Sequence, residues 1–202
     1  TAENILKRSQ HSKDLVLVRD PRIREKGYGV FEGKPREYVL EQIRKHSTTA
    51  MEYVPEGGES VPQMTERAVN FFNDLCKKIH TENTSSKSPQ VSGNSAENSN
   101  TLDASRNIDD SIDSTNAYVL MICHGGTIRQ LFYHFVRNIS SQFEGKGKKD
   151  VGKLSPNTGV SHFEVFVGRE SARAEFIKCT MLYDGSHLIG EDEKILHEDR
   201  AL

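Results

Sequence analysis

A histidine followed by two glycines separates an apolar run from a helical pattern. The apolar run at 117–123 predicts a buried parallel strand, and a helix is expected from about Thr127 to Arg137, after His124-Gly125-Gly126. In an open α/β sheet, ligands bind beyond the carboxyl ends of the strands, and a helix N-terminus at that edge attracts anions. The motif therefore predicts a phosphate site, where His124 supplies a hydrogen bond or a charge. The alternative is a turn histidine that bonds only to backbone, and the local pattern does not decide between the two.

Three other chemistries at this motif are excluded by spacing. Cys123 and His124 are sequence neighbours and point to opposite faces of a strand, so they form no thiol–imidazole pair. No Gly-x-Ser-x-Gly motif follows the His-Gly-Gly triplet, although a serine esterase would need one. His124 and His134 lack the spacing of a metal-binding pair, so no metal site is predicted.

Two further segments could take part in chemistry. The loop from Pro21 to Gly33 follows an apolar run and contains arginines, glycines and Glu25, which could hold an acid beside a bound anion. A solvated surface loop is the alternative, and the segment alone favours it. The segment 155–159, Ser-Pro-Asn-Thr-Gly, taken alone predicts a turn and nothing more.

The elements that must position these residues alternate between strands and helices. The apolar residues 15–18 predict a buried strand, and Pro35 suits the first turn of a helix over 35–46 with Val39 and Ile43 inward. A capping box at 60–63 opens a clearer helix. The segments 160–167 and 175–182 predict an antiparallel hairpin. The pattern indicates an α/β fold, a three-layer sandwich with a mostly parallel sheet.

Composition divides the chain into blocks. In the 36 residues 81–116, Ser, Thr, Asn and Asp supply 23, so this segment is interpreted as a disordered polar insertion. A structured loop is the alternative, although long ordered loops are uncommon. Residues 1–80 and 117–190 have ordinary globular composition and are expected to be two parts of one domain. The charged tail 191–202 is assigned no role.

Length and charge exclude several classes of protein. The chain has 202 residues, which is enough for one ordinary domain. Its 27 Lys and Arg against 29 Asp and Glu give a net charge of -2, which argues against nucleic-acid binding through bulk charge. No apolar run predicts a membrane span. Three separated cysteines without a Cys-x-x-Cys pair predict neither disulfides nor zinc, and favour a reducing cytoplasm.

Four elements, taken in order, resemble the histidine phosphatase superfamily in its phosphoglycerate-mutase-like branch. They are the Arg-x-Arg-Glu-Lys-x-Tyr-Gly-x-x-Glu-Gly segment 22–33, the Gly-Gly-Glu-Ser segment 57–60 with Arg67, the strand ending in His124-Gly125, and the Pro-Asn-Thr-Gly turn 156–159. The resemblance covers nearly all of the chain outside 81–116. It is greatest to the members of the superfamily that hydrolyse fructose 2,6-bisphosphate.

The resemblance implies phosphoryl transfer without a metal or other cofactor. In the superfamily, the histidine of an Arg-His-Gly motif attacks phosphorus, and water hydrolyses the phosphohistidine. Glu25 would be the acid and base, and His124 with the Gly125 amide would stabilise developing charge. The implied substrate is a small phosphorylated sugar. Its pocket would be lined by Tyr28, Asn157 and Thr158, while Glu59 and Arg67 would be structural partners.

The chain departs from the family pattern at the nucleophile. None of its eight histidines stands in an Arg-His-Gly motif. Thr1 matches a point within an early helix of the family, so the first strand and first helix are expected to be missing, which is about two strand–helix units or roughly 60 residues. Unpaired strand edges and exposed apolar surface are therefore expected, and the chain alone is predicted to be unstable and inactive.

Two other functions stay open at this point. One is a catalytically inactive short form that binds phosphorylated ligands or a protein partner. The other is a phosphatase that acts on phosphoglycerates or on another small phosphomonoester. Composition and motif spacing do not distinguish these functions from a fructose-2,6-bisphosphatase.

Overall fold

Four α-helices and three β-strands form the regular structure of the described part of the chain. The structure is a computed structural model that describes residues 1–46, 48–49, 51–85, 117–145 and 148–188. The helices are α1 (Ala2–Arg8), α2 (Arg36–Lys45), α3 (Val61–Ser85) and α4 (Gly125–Asn138), and the strands are β1 (Ser140–Phe143), β2 (Val160–Val167) and β3 (Ala174–Asp184). The predicted tail 191–202 lies outside the described residues. No helix in the described ranges is long and apolar enough to cross a membrane.

The sheet is small and mixed, with the strand order β1-β3-β2. Strand β2 runs antiparallel to β3, which confirms the predicted hairpin, and β1 runs parallel to β3. Strand β1 was not predicted, because Ser140-Ser-Gln-Phe143 offers one apolar residue and no alternation. The alternation of strands and helices in the sequence predicts a mostly parallel sheet. The described sheet has one parallel pair and one antiparallel pair.

The core lies between the sheet and the helices α3 and α4. Ala68 of α3, Leu131 of α4 and Ile177 of β3 are completely buried. The Phe132 ring lies 4.7 Å from the ring of Phe163 on β2, measured between centroids. Buried residues that repeat every three or four positions thus form one face of α3 and one face of α4.

The ends of the helices follow local sequence signals. The Ser60 hydroxyl accepts a hydrogen bond from the Gln63 amide, and the Gln63 side chain accepts one from the Ser60 amide, as a capping box requires. Pro35 lies at the cap position of α2, and Val39 and Ile43 are buried. Helix α3 continues to Ser85 and so includes the first five residues of the predicted insertion 81–116. The rest of the predicted insertion lies outside the described residues.

Two of the predicted strands are wrong. The segments 15–18 and 117–123 have no regular secondary structure. The exposed fraction is 85% for Val16 and 91% for Tyr118. A strand needs a neighbour for its N–H and C=O groups, and neither segment pairs with any described strand. The apolar pattern that predicts burial is present, but the partner that would bury it is absent from the described residues.

Both segments line one open groove, which we call the trough. The trough has a volume of about 4020 Å³ and is also lined by β2 and by the first turn of α4. Small-molecule sites typically have about 300–1,000 Å³. The trough is therefore far larger than a ligand pocket, and its walls include apolar side chains that a folded protein normally covers.

We predict that the 202-residue chain alone self-associates. Exposed apolar side chains at Val16, Val18, Tyr118 and Leu120 have no cover in the described structure, so they should bind one another between molecules. Light scattering after size-exclusion chromatography and the fluorescence of an apolar dye measure this directly. A monomer that binds no dye and unfolds in one cooperative transition would contradict the prediction.

Candidate active site

The carboxylate of Glu25 lies at the N-terminus of α4. Its Oε2 atom accepts a hydrogen bond from the Gly126 amide at 2.9 Å, and Oε1 accepts one from the Lys26 amide at 2.9 Å. The free amides at a helix N-terminus favour negative charge. This contact joins the loop at 21–33 to the His-Gly-Gly motif, so the two predicted catalytic residues, Glu25 and His124, lie at the same helix start.

His124 occupies the cap position of α4. Its backbone is extended, with φ -115° and ψ 158°, and its carbonyl accepts a hydrogen bond from the Ile128 amide at 2.9 Å. The side chain is exposed. No described residue forms a hydrogen bond with the imidazole ring. The ring is therefore available to a ligand in the trough, and the interpretation of His124 as a turn residue tied to backbone has no support in the described structure.

Tyr28 lies close to Glu25. Burial raises the pKa of the Tyr28 phenol, the Glu25 charge raises it further, and the Arg129 charge lowers it. The Tyr28 amide donates to Glu32 Oε1 at 2.6 Å, which holds the loop. The Lys26 ammonium lies 5.6 Å from the centre of the Tyr28 ring. A phenol in this place can line a site that also contains Glu25.

The Pro-Asn-Thr-Gly turn approaches the same place from the other half of the chain. A Cβ on Gly125 would lie 3.7 Å from Leu154 Cδ2, which shows how closely the segment before the turn packs on the helix start. Thr158 has φ 57°, a left-handed conformation that costs a β-branched residue on the order of 1–3 kcal/mol. Its hydroxyl lies 3.2 Å from His187 Nε2. Backbone strain of this kind is concentrated at functional sites.

The trough brings all the predicted site residues together. Its walls include the two predicted catalytic residues and the four predicted substrate-binding residues, which are Glu25, His124, Tyr28, Gly125, Asn157 and Thr158. They come from three segments that are far apart in sequence. The structure places them along the walls of one groove.

Arg129 is a site residue that the sequence reasoning missed. Its Nη2 atom lies 3.0 Å from Met51 Sδ, and its buried Nε atom has no hydrogen-bond partner among the described residues. Arg129 follows Gly125 by four positions, so both lie on one face of α4. That spacing is common to surface arginines on amphipathic helices, so nothing in the sequence pattern distinguishes Arg129 as a site residue. Together with the buried Lys26, whose pKa is lowered by burial, Arg129 brings positive charge to the neighbourhood of Tyr28.

Glu59 and Arg67 form an ion pair that contacts the loop carrying Glu25. Arg67 Nε donates to Glu59 Oε1 at 2.6 Å, and Arg67 Nη2 donates to Glu59 Oε2 at 2.7 Å. Glu59 also accepts a hydrogen bond from the Gly27 amide at 3.2 Å. The bond with Arg67 is the main cause that lowers the pKa of Glu59 below its ordinary value. This bidentate pair connects the start of α3 to the loop that carries Glu25.

Comparison with known proteins identifies the class. The family model of the histidine phosphatase superfamily (branch 1) matches residues 1–86. The chain is 31% identical over 211 residues to "Fructose-2,6-bisphosphatase TIGAR" of Mus musculus, an alignment that covers 96% of this chain and 76% of the relative. The chain belongs to the histidine phosphatase superfamily.

Other relatives carry the same description. The protein "Fructose-2,6-bisphosphatase TIGAR" of Xenopus laevis is 29% identical over 208 residues, which cover 98% of this chain and 76% of the relative. "Fructose-2,6-bisphosphatase TIGAR B" of Danio rerio is 30% identical over 199 residues, which cover 93% of this chain and 72% of the relative. The resemblance stated from the motifs is therefore confirmed at the level of the superfamily and of these relatives.

The Glu59–Arg67 pair predicts a pH dependence of stability. Because the folded-state pKa of Glu59 is lowered, its contribution is present above the unfolded pKa of about 4.3 and is lost as pH falls through the folded value. In the full-length protein, the free energy of unfolding should therefore fall more steeply below pH 5 than in Glu59→Gln. Urea unfolding of both proteins at a series of pH values measures this free energy.

A carboxylate outside this pair provides the control. Glu41 of α2 forms an exposed ion pair with Lys45, so Glu41→Gln should leave the acid limb of the stability curve unchanged. Equal acid limbs for the wild type and Glu59→Gln would contradict the structural role of the pair.

The two glycines at the start of α4 should differ in their tolerance of a methyl group. A Cβ on Gly126 would overlap Glu25 Oε1, whereas a Cβ on Gly125 would have only the ordinary contact with Leu154. In the full-length protein, Gly126→Ala should lower kcat for p-nitrophenyl phosphate by about 100-fold, because a displacement near 1 Å costs about that factor. Gly125→Ala keeps its amide and makes only ordinary contacts, so it should lower kcat less than Gly126→Ala does. Wild-type kcat in Gly126→Ala would show that the position of Glu25 does not matter.

Proposed function

We propose that the protein is a phosphohistidine-type phosphomonoester hydrolase that removes the 2-phosphate of fructose 2,6-bisphosphate, and so regulates glycolysis. The observation that carries the proposal is the Glu25 carboxylate held by the Gly126 amide, next to the exposed His124. The relatives named fructose-2,6-bisphosphatases support the substrate. Free amides, an imidazole and a carboxyl group together suit phosphoryl transfer, which needs stabilisation of charge and movement of a proton.

The proposed reaction has two steps. The nucleophilic histidine forms a bond to phosphorus while the bond from phosphorus to the C2 oxygen of the sugar breaks, and Glu25 gives its proton to that oxygen. In the second step water attacks the phosphohistidine, Glu25 takes a proton from the water, and inorganic phosphate leaves the imidazole. In both steps His124 and the Gly125 amide would face the negative charge on the phosphoryl oxygens.

The remaining predicted residues have proposed roles in binding. Tyr28 lies near Glu25, and Asn157 and Thr158 lie on the turn beside the helix start, so they would line the sugar or phosphate pocket. Arg129 provides a positive charge close to Tyr28, which suits a substrate with two phosphate groups. No metal or other cofactor has a part in the proposed reaction.

The nucleophile is proposed to lie outside the 202 residues, on a strand that fills the trough. Support comes from the two apolar segments 15–18 and 117–123, which line the trough without a strand partner among the described residues and would pair with such a strand. With it, the blocks 1–80 and 117–190 would form one three-layer α/β domain whose sheet is mostly parallel. This arrangement is the fold expected for the phosphoglycerate-mutase-like branch.

The proposed place of action is the cytoplasm. The cysteines Cys76, Cys123 and Cys179 are free, and burial raises the pKa of Cys123 and of Cys179 to about 11. Thiols with so high a pKa are poor nucleophiles and form disulfides slowly. Free, unreactive thiols are typical of proteins in a reducing compartment.

The proposal predicts the effects of two substitutions. In the full-length protein, Glu25→Gln and His124→Ala should each lower kcat for fructose 2,6-bisphosphate by about 10²–10⁴-fold, because each removes proton transfer or charge stabilisation. Both variants should still unfold in one cooperative transition, since both side chains lie at the trough and outside the core. Release of phosphate and thermal unfolding are the measurements, with Glu41→Gln as the control.

The substrate panel separates the alternatives. Phosphoglycerates and p-nitrophenyl phosphate are assayed beside fructose 2,6-bisphosphate, and the highest kcat/KM should belong to the sugar bisphosphate. If kcat/KM is higher for a phosphoglycerate than for fructose 2,6-bisphosphate, the proposed substrate is wrong, and the proposed mechanism stands. Wild-type turnover in Glu25→Gln would remove Glu25 from the mechanism. Phosphate binding without turnover of any substrate by the full-length protein would favour an inactive binding protein.

A further inference from the structure

The Arg67 guanidinium uses all of its N–H groups inside the protein. Nε donates to Glu59 Oε1 at 2.6 Å, and Nη2 donates to Glu59 Oε2 at 2.7 Å and to the Glu25 carbonyl at 3.0 Å. Nη1 donates to the carbonyls of Arg22 at 2.6 Å and Arg24 at 2.8 Å. An arginine has five N–H donors, and these five bonds occupy all of them. Arg67 is thus an arginine next to a phosphate site that has no donor left for phosphate.

Three of the five bonds end on the backbone that carries Glu25. The carbonyls of residues 22, 24 and 25 all point toward one guanidinium, and its side chain is only 15% exposed. The Arg24 carbonyl also accepts a hydrogen bond from the Thr127 hydroxyl at 2.7 Å, and Thr127 is completely buried. The loop is therefore fixed from α3 on one side and from the first turn of α4 on the other.

We propose that Arg67 is a positioning residue for catalysis, which fixes the backbone at 22–25 so that the Glu25 carboxylate meets the start of α4. The carboxylate is bonded to Gly126, the residue after the His124-Gly125 pair, and its place beside them depends on the carbonyls that Arg67 holds. Glu59 orients the guanidinium by binding its other edge. The inference rests on the proposed role of Glu25 as acid and base.

A lysine cannot replace Arg67. Its ammonium has three donors on one atom, whereas the five bonds require a planar fork that spans a carboxylate and three carbonyls. In Arg67→Lys the positive charge stays but most of the carbonyls lose their donor. The charge near the site is thereby kept constant, so a change in this variant reports the geometry of the loop.

The Gly126 amide provides a readout that does not depend on turnover. Gly126 follows another glycine, so labelling glycine with ¹³C at the carbonyl and ¹⁵N at the amide restricts the spectrum of the full-length protein to Gly-Gly pairs. We expect the Gly126 resonance in Arg67→Lys to move toward its position in Glu25→Gln. We expect hydrogen exchange of the Gly126 amide with solvent to become at least tenfold faster, while the buried amides of β3 exchange at the wild-type rate.

Kinetics complete the test in the same full-length protein. Arg67→Lys should lower kcat by about 100-fold, since a displacement near 1 Å costs about that much, and KM should change less than about threefold. Arg137→Lys is the matched control, because Arg137 is exposed on α4 and lies over the Tyr133 ring, away from the trough. It should change neither the Gly126 resonance nor kcat.

Each outcome supports or overturns the inference. An unchanged Gly126 resonance and unchanged kcat in Arg67→Lys would overturn it, and so would faster exchange spread evenly over all amides, which indicates only lost stability. If Arg67→Lys does not fold, Glu59→Gln replaces it, with a smaller change of the same sign expected. Wild-type turnover in Glu25→Gln would instead overturn the proposed function, while the Gly126 resonance would still show whether Arg67 positions the carboxylate.

Discussion

The bond from the Gly126 amide to the Glu25 carboxylate is the constraint around which the site is built. It connects residues that are 101 positions apart, and it does so where the first turn of α4 presents amides without a partner in the helix beside His124. The approach is possible because Gly126 has no side chain, so the carboxylate reaches a space that a methyl group would fill. His124 and Gly125 directly precede Gly126 in the chain, so both lie next to this contact.

The Glu25 carboxylate keeps its position at the start of α4 only if the backbone of its loop is rigid. The loop makes a close turn at Gly29, where φ is 52° and a Cβ would lie 2.5 Å from the Gly58 nitrogen. Only glycine meets both demands. The loop thus packs against the segment that leads into α3, and the Glu59–Arg67 pair lies where the two meet. Rigid surroundings of this kind hold reacting groups within a fraction of an ångström.

Local patterns predicted the parts of the fold that depend on local forces. The capping box at Ser60, the helix α4 and the hairpin of β2 and β3 are set by neighbours in sequence, and all were found. The segments 15–18 and 117–123 failed for a different reason. Their residues favour burial in a sheet, but burial requires a partner strand, and no pattern within a segment supplies one.

The site was predictable to the extent that its residues stand in recognisable motifs. His124, Gly125 and Glu25 belong to such motifs, and the structure brings them to one helix start. Arg129 was missed because an arginine on an amphipathic helix is usually an ordinary surface residue. Only the contact with Met51 and the orphaned Nε atom distinguish it. The distinction comes from tertiary packing, which sequence spacing does not encode.

The distance along the chain between Glu25 and Gly126 has a consequence for how the protein tolerates change. The loop closed by their contact contains the polar residues 86–116, and removing them would shorten it from 101 to about 70 residues. The entropy of closing a loop grows only with the logarithm of its length, so these residues add about 0.3 kcal/mol to the cost of closure. A change in the number of residues between the two therefore alters the cost of bringing Glu25 to Gly126 by only a few tenths of a kcal/mol.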